Sequence, residues 1–148
     1  MGNSANTLTG IQLASLRLNH SKAEFHSNQL GAGGRVSFGF GVTVNTNEIE
    51  GKTELINSAS ITLEIDVTGH STDDEEKLFT VSITMTGAFS IDDEAEISVR
   101  AFEAEASQLA APIYSEARAY LNHTLEKMDL RNIPVPWSLP EIELSTPE

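Results

Sequence analysis

The stretch Leu78–Ile91, LFTVSITMTGAFSI, alternates almost without interruption. Phe79, Val81, Ile83, Met85, Phe89 and Ile91 share one parity, and Thr80, Ser82, Thr84, Thr86 and Ser90 share the other. Successive side chains of a strand point to opposite faces, so this is a strand with one apolar face and one hydroxyl face. The same pattern recurs upstream. RVSFGFGVTV sets Val36, Phe38, Phe40, Val42 and Val44 against Ser37, Gly39, Gly41 and Thr43. ASITLEIDVTG sets Ile61, Leu63, Ile65 and Val67 against Ser60, Thr62, Glu64, Asp66 and Thr68. Joined by the polar stretches Asn45–Ser58 and His70–Lys77, these strands predict an antiparallel meander with one wet face. Before them, IQLASLRL places Ile11 and Leu13 on one parity and Leu16 and Leu18 on the other, which predicts a first strand with a bulge. NQLGAGG, Asn28–Gly34, reads as a connector. No Lys-Ser/Thr pair follows its glycines, so it is not a phosphate loop.

After Ile91 the period changes. DDEAEISVRAFEAEASQLAAPIYSEARAYLNHTLEKM has the Ala, Glu and Leu content of a helix. Asp92 or Asp93 is expected to cap its start, and Pro112 to break it into a short first piece and a longer second one. Leu109, Ala110, Ile113, Tyr114, Ala117, Tyr120, Leu121, Leu125 and Met128 cover an arc of about 160°. That exceeds the roughly 100° stripe of a surface helix, so a second surface is expected to cover the excess. IPVPWSLPEIELSTPE then closes the chain. Its prolines between Ile133 and Pro140 forbid helix and predict an extended crossing segment. The expected organisation is a flexible start over 1–10, a single domain over 11–140 and a flexible tail over 141–148. The expected fold class is α+β, a four-stranded antiparallel sheet with a long, proline-interrupted helix packed on one face.

Composition narrows the function. With 148 residues, 39% of them hydrophobic, the chain can build one real core. The formal charge of −13 argues against nucleic acid, whose binders carry basic patches. There are no cysteines and no apolar run of the roughly 20 residues that cross a bilayer. The start lacks the pattern of a signal peptide, so a cytoplasmic location is expected, and the sequons at Asn19 and Asn122 read as chance. His20, His26, His70 and His123 share no metal-ligand spacing. The acids at Asp73 lack the glycine and spaced ligands of a calcium loop. No Gly-flanked serine elbow and no cysteine nucleophile is present. The expectation is therefore no enzyme, no metal and no cofactor. What remains is apolar surface at Ile133, Val135, Trp137 and part of the helix arc, which either assembles subunits or binds something oily. Trp137 alone could equally be a plug over the core.

The order of parts resembles SecB, the bacterial export chaperone. The resemblance runs from about Ile11 to Leu139: a bulged first strand, three further strands, TGAFSI at Thr86–Ile91, a helix with Pro112, Tyr114 and Arg118, and a proline-rich crossing segment. It implies a homotetramer built as a dimer of dimers, with the long helices between two sheets. It implies an ATP-independent holdase that binds unfolded polypeptides in grooves between the helix, the second strand and the crossing segment. Phe38, Phe40, Tyr114, Leu121, Leu125, Ile133, Val135 and Trp137 are the groove candidates, assigned by element. Two departures bear on the role. SecB carries a lid helix after the crossing segment, whereas PEIELSTPE is too short and proline-rich for one. SecB also offers sheet-face acids to the translocase motor SecA; here Ser82 stands where one of them would be, and the first-strand acids reduce to Glu24. Holdase activity is thus expected to persist, with SecA binding weak or absent. Clients would be preproteins or, as for SecB-like proteins that guard an antitoxin, a toxin–antitoxin component. A carrier of a small apolar ligand and a SecB-shaped domain without chaperone activity are the competing readings.

Overall fold

A computed structural model of the chain describes residues 10–26, 34–71, 76–130 and 133–140. The expected flexible ends, most of the Asn28–Gly34 connector and the acids around Asp73 lie outside the described residues. The alternating stretches form the strands β1 (Ile11–Phe25), β2 (Gly34–Ile49), β3 (Lys52–Ser71) and β4 (Lys77–Ile91) of one antiparallel sheet. The sheet order is β1-β4-β3-β2. The meander β2-β3-β4 is present as expected, and β1 pairs with β4 at the far edge. Two strands consecutive in sequence thus occupy the two opposite edges of the sheet.

The oily face of β4 covers the centre of the core. Phe79, Val81, Ile83, Met85, Phe89 and Ile91 are buried beside Ile61, Leu63, Ile65 and Val67 of β3. Each large apolar side chain so buried contributes roughly 1.5–3 kcal/mol. The GAFSI motif has a packing reason. A Cβ on Gly87 would come within 2.5 Å of Ile113 Cδ1 and 3.1 Å of Leu13 Cδ1, so this glycine seats the helix on the sheet. Phe89 meets the ring of Phe102 edge-on at 5.7 Å between centroids. On the wet face the hydroxyls of Thr62 and Thr86 bond across the strands at 2.9 Å.

The bulge expected in β1 is found between Leu13 and Ser15, and it returns Leu16 and Leu18 to the face of Ile11 and Leu13. A second register shift lies between Leu18 and His20. The stretch Asn45–Ser58 is not a simple polar connection. β2 runs on to Ile49 and β3 begins at Lys52, leaving the two-residue turn Glu50–Gly51 with Gly51 at φ 83°. Beyond the turn β3 bulges around Glu54, and Ile56 is buried with its N–H bonded to the Ile97 carbonyl at 2.9 Å.

Two helices follow, α1 (Val99–Ala104) and α2 (Ala106–Lys127). The cap is Ser98, whose hydroxyl accepts from the Ala101 N–H at 3.1 Å, and not Asp92 or Asp93. Asp92 instead accepts from the Glu94 N–H at 3.2 Å and closes a tight turn. The helical break falls at Glu105, and Pro112 sits inside α2 without ending it. Proline removes the bond to the carbonyl four residues earlier. Here that carbonyl belongs to Gln108, and both Gln108 and Pro112 are exposed, on the solvent side of the helix where a freed carbonyl costs least. The helix ends in a Schellman arrangement: Leu130 N–H bonds to the Leu125 carbonyl at 2.8 Å, with Asp129 in the left-handed region at φ 62°.

Candidate functional site

Helix α2 lies on the sheet with Leu109, Ile113, Ala117, Leu121 and Leu125 buried. Its Tyr114 flank points to β2, where the Tyr114 and Phe40 rings meet edge-on at 6.0 Å and Phe40 stacks with Phe38 at 6.3 Å. The crossing segment closes on this same flank. It is not fully extended as expected: Val135 N–H bonds back to the Ile133 carbonyl at 3.0 Å and the chain bends at Trp137. Its prolines leave the next carbonyls free of any helical partner, and Tyr114 and Arg118 take those carbonyls. The Tyr114 hydroxyl donates to the Pro136 carbonyl at 2.5 Å. Arg118 Nε donates to the same oxygen at 3.0 Å, and Nη2 donates to the Val135 carbonyl at 3.2 Å. The guanidinium also lies 3.8 Å from the centre of the Trp137 ring, a cation–π contact. Tyr114 and Arg118 are one helical turn apart, which puts both on one flank.

The clamp has a consequence for electrostatics. Burial pushes the Tyr114 phenol above its ordinary pKa, against the weaker opposing influence of the Arg118 charge. The phenol is thereby kept as a donor.

Beyond the clamp an open trough of about 560 Å³ runs between the outer face of α2 and the segment Trp137–Leu139. Small side chains, Ala111, Ser115 and Ala119, form its helix wall, and Trp137 and Leu139 form the other. Trp137 is 85% exposed, so it does not plug the core. A bare aromatic of this size offers a large apolar area at the surface.

The sequence candidates therefore separate. Tyr114, Val135 and Trp137 meet at the clamp, Tyr114 and Val135 as its buried base and Trp137 as its exposed tip. Phe38 and Phe40 continue the apolar surface onto β2, half-buried, and Ile133 is half-buried beside the core. Leu121 and Leu125 are core residues, 0% and 2% exposed, and have no surface to offer. Both lie within about 20° of Tyr114 around the axis, two and three turns further along the helix, where they are buried in the core. The wide arc itself is largely covered within the chain, by the sheet and by Val135 at its Tyr114 edge, so its width does not require another subunit. Arg118 and the small residues of the trough were not among the sequence candidates. The available signal was their spacing: Ala111, Ser115 and Ala119 at intervals of four, and Arg118 four residues after Tyr114.

On the wet face Ser82 is not isolated from acid. Its hydroxyl donates to Asp66 Oδ1 at 2.8 Å, and Glu64 and Asp66 are exposed on β3. Lys22 and Glu24 of β1 pair at 3.0 Å, and Lys22 holds the Glu24 carboxyl below its usual range. Among the described residues no helix is long and apolar enough to cross a membrane, and no group of His, Cys, Asp and Glu has the spacing to hold a metal ion.

No protein-family model matches the sequence, and no curated protein matches it in sequence. Among solved structures, the chain is similar to Rv1957, a SecB-like chaperone of Mycobacterium tuberculosis, solved in complex with a ChAD peptide from the antitoxin Rv1956 HigA1. The superposition covers 94% of this chain and 95% of that one, with a TM-score of 0.69 and 14% identity. The chain has the fold of a SecB-like chaperone, a four-stranded antiparallel sheet carrying a long C-terminal helix.

Proposed function

We propose that the protein is an ATP-independent holdase that binds non-native polypeptide segments along the apolar surface from Phe38 and Phe40 to Trp137. The observation that carries this reading is Trp137: exposed, braced by Arg118, and forming one wall of an open trough. An extended chain needs apolar sockets along an open channel, and the trough is open with Trp137 and Leu139 on one wall. The antitoxin peptide in the complex of the similar chaperone makes a toxin–antitoxin client the leading choice over a preprotein. SecA engagement is weak in this reading, since Ser82 stands where one acid would be and the first strand keeps only Glu24, although Glu64 and Asp66 remain exposed on the neighbouring strand. The protein acts as a homotetramer, a dimer of dimers. Leu16, Phe25 and Tyr120, exposed at 37%, 49% and 39% in the single chain, are the apolar groups that such an assembly would cover. Light scattering coupled to size exclusion then gives about four times the 16.0 kDa chain mass.

The test is suppression of aggregation of an unfolded reporter protein, read together with Trp137 fluorescence. The wild type keeps the reporter soluble without ATP, and its emission shifts to the blue as the ring is covered. Trp137→Ala weakens client binding by roughly 1–3 kcal/mol, the range for an aromatic anchor, with little change in melting temperature. A protein that leaves the reporter to aggregate, and that carries a co-purifying small apolar mass in native mass spectrometry, is a ligand carrier instead.

A further inference from the structure

The wet face of the sheet is ordered by charge. Opposed residues of paired strands share a face, so the register places each outer side chain. The outer column of β4 is Thr80, Ser82, Thr84, Thr86, Ala88 and Ser90, small and uncharged. On one side of it β1 sets Arg17, His20 and Lys22 opposite Thr86, Thr84 and Ser82. On the other side β3 sets Glu64 and Asp66 opposite Thr84 and Ser82. Two rows across the sheet therefore read Lys22–Ser82–Asp66 and His20–Thr84–Glu64, each a base, a hydroxyl and an acid. His20, Lys22, Glu64 and Asp66 are all exposed.

The second register shift of β1, between Leu18 and His20, makes this arrangement. It turns His20, Lys22 and Glu24 outward, where the alternation of Leu16 and Leu18 would have turned them inward. It serves the core little, since Ser21, Ala23 and Phe25, turned inward by the same shift, are exposed. Within the chain Lys22 pairs with Glu24 at 3.0 Å and Asp66 accepts from Ser82 at 2.8 Å. Neither contact exhausts its group, because an ammonium has further donors and a carboxylate a second oxygen.

Base and acid of one row stand two strand spacings apart, about 10 Å, and are placed to pair between two copies. A second sheet laid face to face, with a twofold axis running along β4, keeps the rows level and reverses the strand order. Its β3 then covers β1. Lys22 meets Asp66 of the second copy, His20 meets Glu64, and symmetry repeats both contacts. Glu24 and Arg17 meet the uncharged Thr68 and Thr62. With the axis across the strands, β1 would lie on β1 and β3 on β3, base on base and acid on acid. Of the two, the first alone is self-complementary. Short side chains on β4 let the faces approach to the roughly 10 Å of packed sheets. Three facing strands over Gln12–Glu24 cover on the order of 1,100 Å² over both copies, the size of a weak, reversible interface.

We propose that the outer face is a self-association surface: two copies pair through their wet faces, Lys22 on Asp66 and His20 on Glu64, twice over. This goes beyond the holdase reading and does not depend on it, since the buried core and the Tyr114–Trp137 clamp lie on the helix side of the sheet. An assembly that buries its helices leaves these faces outermost, so the pairing joins whole assemblies.

Charge sets the conditions of the test. Each copy carries −13, which repels at long range. At about 0.1 M salt the Debye length is about 10 Å, so that repulsion is screened while pairs in contact persist. At about 1 M salt the pairs are screened as well, whereas apolar contacts withstand it. Sedimentation equilibrium in about 1 M salt therefore gives the baseline mass, whatever the helix-side assembly. At about 0.1 M salt the wild type should rise above that baseline as its concentration approaches about 1 mM. Lys22→Glu and Asp66→Lys, both at exposed positions, should each weaken the rise at least about tenfold, because each turns two attractions into two repulsions. An equimolar mixture of the two variants should restore it. The glutamate of one then faces the lysine of the other, and the unchanged Asp66 and Lys22 meet as in the wild type. A wild type that stays at the baseline overturns the proposal. So does a rise that neither variant reduces, and so does a mixture as weak as its parts.

Discussion

The two flanks of helix α2 are finished in opposite ways. Tyr114 and Tyr120 lie about 120° apart around the axis, on either side of a buried centre formed by Ile113, Ala117 and Leu121. The Tyr114 flank is sealed by the chain's own crossing segment, with Val135 buried and the Val135 and Pro136 carbonyls held by side chains of the helix. The Tyr120 flank points away from β2 and is left half-open at 39% exposure. The difference shows how one amphipathic helix can serve two purposes. A flank tied down by hydrogen bonds gives a fixed wall from which Trp137 projects. A flank left bare keeps apolar area exposed in the single chain.

The largest test of this division strikes its shared centre. Leu121→Glu places a carboxylate where the side chain is fully buried. An unpaired buried charge costs several kcal/mol, so the variant should lose about 10 °C or more in melting temperature or fail to fold. Tyr120→Glu, one residue earlier, should keep the melting profile of the isolated chain and split any assembly that covers that flank. Equal damage from the two variants would erase the distinction between centre and flank.

Next in size is the clamp. Arg118→Ala removes two charge-assisted bonds and the contact with Trp137. A loss of about 1.5–3 kcal/mol in urea unfolding is expected, together with a Trp137 that no longer responds to client. Arg118→Lys should recover little of this, since a point charge cannot reach two carbonyls and a ring face at once. Tyr120→Ala should cost far less than Arg118→Ala in the isolated chain. If the two cost the same, the crossing segment is held by its prolines and not by the helix.

How much of this was legible in the sequence depends on the kind of signal. β2, β3 and β4 were readable because a period of two maps directly onto faces, and the parity change in IQLASLRL located a bulge that the pairing of Leu13 and Ser15 displays. The hairpin tip was missed because Ile49, Leu55 and Ile56 are diluted among polar residues, and only pairing with the far segment buries Ile56. Pro112 misled because the cost of an interior proline depends on where the lost carbonyl lies, and here it lies on the solvent side of the helix. In the candidate site, the sequence named elements that the structure brings together, without their facing. Val135 and Trp137 are two residues apart, in a segment that turns between Ile133 and Val135 and bends at Trp137, and one is buried and the other bare. Leu121 and Leu125 lie within about 20° of Tyr114 around the axis, but the crossing-segment carbonyls meet the turn of Tyr114 and Arg118, and the later turns are buried in the core. Backbone carbonyls freed by prolines leave no mark in a hydropathy pattern, so Arg118 could be placed on the helix and not at its partner.

The smallest expected effect is also the most specific to the clamped flank. Tyr114 is buried and donates to Pro136, and burial raises its pKa above the ordinary value. A group whose folded pKa lies above its unfolded value, about 10 for tyrosine, stabilises the fold fully below the unfolded value. That contribution is lost as pH rises through the folded one. The wild type should therefore lose stability above about pH 10, as ionisation removes the donor and places a charge in the clamp. Tyr114→Phe lacks both the bond and the titration. It should cost about 1 kcal/mol at neutral pH and show a shallower decline in the alkaline range. Urea midpoints of the two proteins at neutral pH and above pH 10 make the comparison. Parallel declines for wild type and Tyr114→Phe would mean that the phenol is not held neutral by the crossing segment, and the clamp would then rest on Arg118 alone.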